Sequence, residues 1–156
     1  MEISIPGWGE LAISRIVFDF NGTLAVDGHL GPDTRQKLEG LAGGGFAIYV
    51  LTADTFGLVR SEMAGLPVTV EILTGDATGT AKAEFIRRLG PEHTAAVGNG
   101  RNDEAMLRLA ALGIAILGRE GCYPSTLAAA DVVVAGIGDA LDLFLHPRRL
   151  VATLRG

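Results

Sequence analysis

Six short apolar runs alternate with helical stretches from one end of the chain to the other. That alternation constrains the fold more than any other feature. The candidate strands are Arg15 to Phe20, Phe46 to Leu51, Val68 to Leu73, Thr94 to Val97, Ile114 to Leu117 and Asp131 to Val134. Between and after them the pattern predicts helices over Pro32 to Ala42, Thr55 to Met63, Thr80 to Leu89, Asn102 to Ala110, Pro124 to Ala130 and Asp139 to Leu145. Strands that are apolar throughout must be covered on both faces. The expected fold is therefore α/β: a three-layer, Rossmann-like, mostly parallel sheet with helices on both faces. Pro32 suits the first turn of its helix, and Gly43 to Gly45 suit its end.

Two small β-hairpins should decorate this core. Glu2 to Ile5 and Glu10 to Ile13 flank Pro6-Gly7-Trp8-Gly9, and a second strand pair brackets Asp27-Gly28, a favoured two-residue turn. No repeat, low-complexity tract or interdomain linker interrupts the 156 residues, so residues 1–156 read as a single domain. With 48% hydrophobic and 20% charged residues the chain is of globular type.

A net charge of −5 and the lack of a basic block argue against nucleic acid, and mildly against an extended polyanionic substrate. No basic segment leads into a long apolar run, and no apolar stretch approaches the thickness of a bilayer. The expectation is a soluble, cytoplasmic protein without a membrane partner. Cys122, the single cysteine, excludes an intrachain disulfide and a cysteine-based zinc site. The 22 glycines, roughly twice the usual share, announce many tight turns.

In open α/β sheets, reactive groups stand where strands end. The first core strand ends in Asp19-Phe20-Asn21-Gly22-Thr23-Leu24, a carboxylate followed by a glycine that lets backbone N–H groups face an anion. The second ends at Thr52, a hydroxyl beside a backbone amide. Lys82 falls in the first turn of a later helix, and Gly98-Asn99-Gly100-Arg101-Asn102-Asp103 follows the fourth strand. Carboxylate, hydroxyl, ammonium and a second carboxylate on one sheet edge suit phosphoryl transfer through an acyl phosphate, with hard oxygen ligands for Mg²⁺.

In order, Asp19-Phe20-Asn21-Gly22-Thr23-Leu24, Leu51-Thr52, Lys82 and Gly98 to Asp103 resemble the four motifs of the haloacid-dehalogenase superfamily. Leu51-Thr52-Ala53-Asp54 and the Gly98 to Asp103 loop resemble the phosphorylation domain of P-type ATPases, which points to a soluble branch of that kind. The resemblance implies a Mg²⁺-dependent phosphatase. Asp19 would be the nucleophile; Thr52 and Lys82 would hold the phosphoryl oxygens. Asn21, Gly22, Thr23, Ala53 and Asn102 would complete the phosphate loop, with Thr23 bracing it. Asp19, the Asn21 carbonyl, Asn99 (directly or through water) and Asp103 would hold Mg²⁺, and the substrate would be a small phosphorylated molecule.

Two residues depart from the family pattern. Phosphatases of the superfamily usually have Asp where Asn21 stands, as general acid and then base. Asn cannot exchange that proton, and such transfer is commonly worth ~10²–10⁴-fold. Asn99 also replaces a common Asp, which should weaken Mg²⁺ binding. Slow turnover and a long-lived phosphoenzyme are expected. Asn21 and Asn99 equally motivate a different reading, a degenerate member that binds phosphate or a partner and regulates without turnover. A receiver-like domain ranks last, because here the acceptor ends the first core strand.

Only 28 residues separate Thr23 from Thr52, and 29 separate Thr52 from Lys82. Neither gap holds a cap domain, which leaves room for a homo-oligomer whose neighbouring subunit acts as the lid. Asp27 and His29, on the second hairpin, could approach the leaving group, but solvated hairpin residues are the commoner case. Asp54 serves equally well as a helix cap or a site residue, and Arg101 as a substrate-edge or structural group. His93 and His146 read as surface residues, Trp8 as a packing or subunit contact, and Cys122 as a small half-buried side chain. Gly98-Asn99-Gly100 is no dinucleotide fingerprint, since Asp103 stands in place of the third glycine. Gly75 to Lys82 is no phosphate loop, since Ala81 precedes the lysine.

Overall fold

The six apolar runs assemble into one parallel sheet. The computed structural model of the chain describes residues 1–53, 58–73 and 78–156, except the side chain of Thr78. In chain order the elements begin with a hairpin of β1 (Glu2–Ile5) and β2 (Gly9–Ala12), followed by β3 (Arg15–Asp19). Next come a second hairpin of β4 (Ala25–Val26) and β5 (His29–Leu30), then α1 (Thr34–Gly43), β6 (Ala47–Thr52), α2 (Leu58–Glu62) and β7 (Thr69–Ile72). The second half comprises α3 (Thr78–Leu89), β8 (Thr94–Gly98), α4 (Glu104–Leu109), β9 (Leu112–Ile116), α5 (Pro124–Ala129), β10 (Val132–Val134), α6 (Ile137–Leu145) and α7 (Arg148–Leu154).

The sheet order is β10-β9-β8-β3-β6-β7, every pair parallel. From β3 the chain winds outward through β6 and β7, then returns to the other side of β3 as β8. The reversal lies between β3 and β8, and it opens a crevice at their carboxyl ends. Both faces of the sheet are buried, as period-two alternation along β3 requires. Ile16 and Phe18 pack with α1, α6, α7 and the first hairpin, whereas Val17 packs with Phe85 and Ile86 of α3 and Met106 and Leu107 of α4. No described helix is long and apolar enough to cross a membrane.

Boundaries shift in a few places. α1 begins at Thr34, because the Thr34 N–H bonds back to Gly31 and places Pro32 and Asp33 in the preceding turn. β9 begins at Leu112, since Gly113 lets the backbone of α4 approach: a Cβ there would lie 2.7 Å from the Leu107 carbonyl oxygen. Asn102 and Asp103, expected inside α4, belong to a 3-10 turn over Arg101–Asp103 that precedes it. The start of the helix expected from Thr55 lies outside the described residues. α7 adds a helix the sequence pattern did not suggest. Both hairpins form, and the second turns on Asp27 and Gly28 with φ of 52° and 80°, the left-handed pair a two-residue turn demands.

Candidate active site

Asp19 is the last residue of β3 and only 8% exposed. The loop after it curls tightly: the Thr23 and Ala25 amides both donate to the Phe20 carbonyl, and the Gly22 amide donates to Ala25. Gly22 adopts φ 77°, and a Cβ on it would stand 2.5 Å from Asn99 Nδ2. Glycine is thus required twice over, by backbone conformation and by the close approach of the loop that follows β8. The buried Thr23 hydroxyl crosses that contact and donates to Asn99 Oδ1 at 3.0 Å.

Parallel register brings the second motif alongside. Asp19 pairs with Leu51 of β6, so the buried Thr52 stands one residue further along the neighbouring strand, with Ala53 exposed just beyond it. Lys82 precedes Phe85 and Ile86 by three and four residues, which sets it on the sheet-facing side of α3, one turn nearer the carboxyl edge. It is 1% exposed, and its ammonium donates to Asp19 Oδ1 at 2.5 Å and to Asp103 Oδ1 at 2.6 Å. The other oxygen of the fully buried Asp103 accepts the amides of Asn99 (3.0 Å) and Gly100 (2.8 Å). Gly98 makes room for that carboxylate, because a Cβ there would meet Asp103 Cγ at 2.5 Å.

Two buried carboxylates share one buried ammonium. Burial, and then the nearby Asp103 charge, push the Asp19 carboxyl up to about 7, against the opposing pull of Lys82. For Lys82, burial alone would favour the neutral amine, but the charges of Asp19 and Asp103 outweigh it and raise its pKa. With all three ionised the trio carries one net negative charge. The donors are oxygens only, and among the described residues no three His, Cys, Asp or Glu side chains are placed to hold a metal ion together. Two carboxylates plus carbonyls suit a hard cation that keeps several waters, as Mg²⁺ does, better than Zn²⁺ or a many-liganded Ca²⁺.

Asp19, Gly22, Thr23, Lys82, Asn99 and Asp103 therefore meet at the β3/β8 crevice, and Thr52 stands beside Asp19 at the end of β6. The side chain of Asn21 is exposed at the rim, and the half-buried Asn102 packs its backbone against Gly79 at the start of α3. Asp54 lies outside the described residues. The Arg101 guanidinium sits 6.0 Å from the centre of the Tyr123 ring. His93 and His146 are exposed, as is Trp8 in the first hairpin's turn. Cys122 is half-buried, and burial followed by the Asp103 charge raises its thiol pKa, which disfavours a nucleophilic thiolate. His29 contacts Glu62 of α2 at 3.1 Å; the Glu62 carboxyl is held below its ordinary value by the Leu30 amide and then by His29.

Sequence reasoning missed the loop over residues 118–123, which closes the site from the β9 side. Asn99 Nδ2 donates to the Gly121 carbonyl (2.9 Å), the Tyr123 amide donates to the Asn99 carbonyl (2.9 Å), and the Thr126 hydroxyl donates to the Gly100 carbonyl (2.7 Å). Gly118, with φ 44°, fits against the Gly22 carbonyl. Its position just beyond a strand's carboxyl end, with glycines at 118 and 121, was the available signal.

No family model matches the sequence. Among solved structures, 3-deoxy-D-manno-octulosonate 8-phosphate phosphatase from Moraxella catarrhalis, in complex with magnesium, phosphate and KDO, superposes with a TM-score of 0.73. It is 21% identical, over 92% of this chain and 94% of that one. The copper-transporting ATPase ccc2 of Schizosaccharomyces pombe is 32% identical over 145 residues, 90% of this chain, yet the match spans only 16% of the ATPase's length. An uncharacterized protein of Methanocaldococcus jannaschii is 44% identical over 79 residues, covering 48% of this chain and 85% of that protein. The fold is that of the haloacid-dehalogenase hydrolases among the solved structures. By sequence, the chain belongs to the family of that Methanocaldococcus jannaschii protein.

Proposed function

We propose that this chain is a Mg²⁺-dependent phosphohydrolase acting on small phosphomonoesters through an aspartyl-phosphate at Asp19. The observation that carries the reading is the buried Lys82 ammonium bridging Asp19 and Asp103 at the sheet's reversal point. An Asp19 oxygen attacks phosphorus as the bond to the leaving oxygen breaks, giving an aspartyl-phosphate and an alcohol. Water then attacks the same phosphorus, releasing inorganic phosphate and restoring the carboxylate. Lys82, the Thr52 hydroxyl and the Ala53 amide neutralise the phosphoryl oxygens, where charge stabilisation has most effect, while the Gly22 and Thr23 amides donate to the Ala25 and Phe20 carbonyls and so hold the adjoining loop in shape. Asn102 would complete the phosphate loop.

Asp19, Asp103, the Asn21 carbonyl and the Asn99 side chain would hold Mg²⁺, which when bound screens the negative charge of the incoming phosphate. That role agrees with the excess negative charge of the Asp19–Lys82–Asp103 trio. Asn21 offers no proton to the leaving oxygen, so water must supply it and later accept one. Slow turnover and a persistent phosphoenzyme follow. The magnesium- and phosphate-bound Moraxella structure is compatible with the reading, although sugar-phosphate specificity does not transfer with the fold.

The same Asn21 favours a competing reading, a phosphate-binding module without turnover. Phosphate release from a panel of aryl and alkyl phosphates, with Mg²⁺ or EDTA, separates the two. Release by the wild type that vanishes in EDTA, in Asp19→Asn and in Lys82→Met supports the hydrolase. Phosphate binding without release from any ester supports the module.

A further inference from the structure

The hairpin of β4 and β5 is fastened from two directions. On one flank, Glu62 of α2 accepts the Leu30 amide at 3.1 Å and contacts His29 Nδ1 at 3.1 Å. Arg35 donates to the carbonyls of Glu62 and Ala64, and Leu58 Cδ1 lies 3.6 Å from where a Cβ of Gly28 would stand. On the other flank the Asp27 amide donates to Glu120 Oε1 at 3.0 Å. In a two-residue turn the first turn residue's N–H has no partner within the hairpin, so this donor is available to an outside acceptor.

α2 follows β6, and Glu120 follows β9. In the sheet, β8 and β3 lie between those two strands. Contacts to both flanks therefore carry the hairpin across the carboxyl ends of β3 and β8, a span of about 14 Å at ~4.8 Å per strand. Asp19 and Asn99 end or follow those two middle strands. The loop bearing Glu120 is itself anchored to the site through the Asn99–Gly121 bond.

We propose that Glu120 is a positioning residue of the phosphoryl site, a latch whose carboxylate holds the Asp27–Gly28 turn across the crevice, with the Glu62 flank as the fixed hinge. The proposal rests on the phosphohydrolase reading for its kinetic consequence, but not for its structural one. Latched, the hairpin covers the crevice where other enzymes would use a cap. Unlatched, the covered form is less populated, and apparent substrate affinity falls by the same fraction. Only an acceptor oxygen is needed, so an amide can replace the carboxylate.

The test uses Glu120→Ala and Glu120→Gln in the full chain. Amide exchange of residues 25–30, followed by mass spectrometry, should accelerate in Glu120→Ala and return toward wild type in Glu120→Gln. KM for a phosphomonoester should rise about five-fold in Glu120→Ala with kcat nearly unchanged, and recover in Glu120→Gln. Hairpin exchange unaltered in Glu120→Ala overturns the latch. So does equal impairment of both variants with larger losses on alkyl than on aryl phosphates, since that pattern marks proton donation rather than latching. A chain that releases no phosphate from any ester overturns the hydrolase reading instead, and the exchange result still decides the latch.

Discussion

Replacing Asp19 with Asn should stabilise the metal-free protein, and should do so increasingly as pH rises. A carboxyl whose folded pKa lies above its unfolded value favours folding below the unfolded pKa, and that contribution is lost as pH climbs through the folded value. For Asp19 the window runs from 3.8 to about 7. A shift of roughly three pH units at 1.36 kcal/mol each sets a ceiling of about 4 kcal/mol. Asn removes the buried charge and leaves Lys82 paired with Asp103, so the trio becomes neutral. Glu62 and Asp142 carry lowered pKa values of the opposite sign, but they are present in both proteins and cancel in the difference. Urea unfolding in EDTA at pH 4, 6 and 8 provides the assay. The variant should match wild type near pH 4 and exceed it by about 2–4 kcal/mol at pH 8. Saturating Mg²⁺ should stabilise the wild type more than the variant, and so narrow the gap. A variant less stable than wild type at pH 8 in EDTA, or a difference independent of pH, would refute the electrostatic account.

Three further outcomes are expected. Asn21→Asp should raise steady-state phosphate release by about 10–100-fold and shorten the life of the phosphoenzyme, measured by burst kinetics. Gly22→Ala should cost about 2–3 kcal/mol in urea unfolding, because a positive φ and a Cβ 2.5 Å from Asn99 Nδ2 both oppose it. Asn99→Asp should destabilise the metal-free protein by about 1–2 kcal/mol, since an oxygen replaces the donor to the Gly121 carbonyl. The same variant should gain more thermal stability from Mg²⁺ than wild type does.

Much of this arrangement is written in the local sequence. β3, β6 and β8 are uninterrupted apolar runs, so their carboxyl ends, and with them Asp19, Thr52 and Asn99, follow directly from where apolar character stops. Lys82 follows from its spacing to Phe85 and Ile86. Other parts depend on tertiary contacts that residue types do not announce. Gly113 resembles a strand breaker until α4 is packed against it. α7 is short, and Val151 and Leu154 gain their reason for helix formation only by packing on the core beside β1. The loop over residues 118–123 reaches the site through the Gly121 carbonyl and the Tyr123 amide, groups that every residue of its kind possesses. Asn99 shows the difference most clearly. In the sequence it registers as a missing negative charge; in the fold its amide ties Thr23 on one side to Gly121 on the other.

The central claim is that Asp19 takes up the phosphoryl group, and intact mass measurement tests it most directly. The chain would be incubated with acetyl phosphate or a reactive phosphoester, with Mg²⁺ or EDTA, quenched in acid, and the adduct mapped by peptide. The account predicts a Mg²⁺-dependent gain of one phosphoryl group on the peptide containing Asp19, persistent because Asn21 cannot hasten its hydrolysis, and absent in Asp19→Asn. An adduct that survives in Asp19→Asn, or phosphate release by that variant at the wild-type rate, would contradict it.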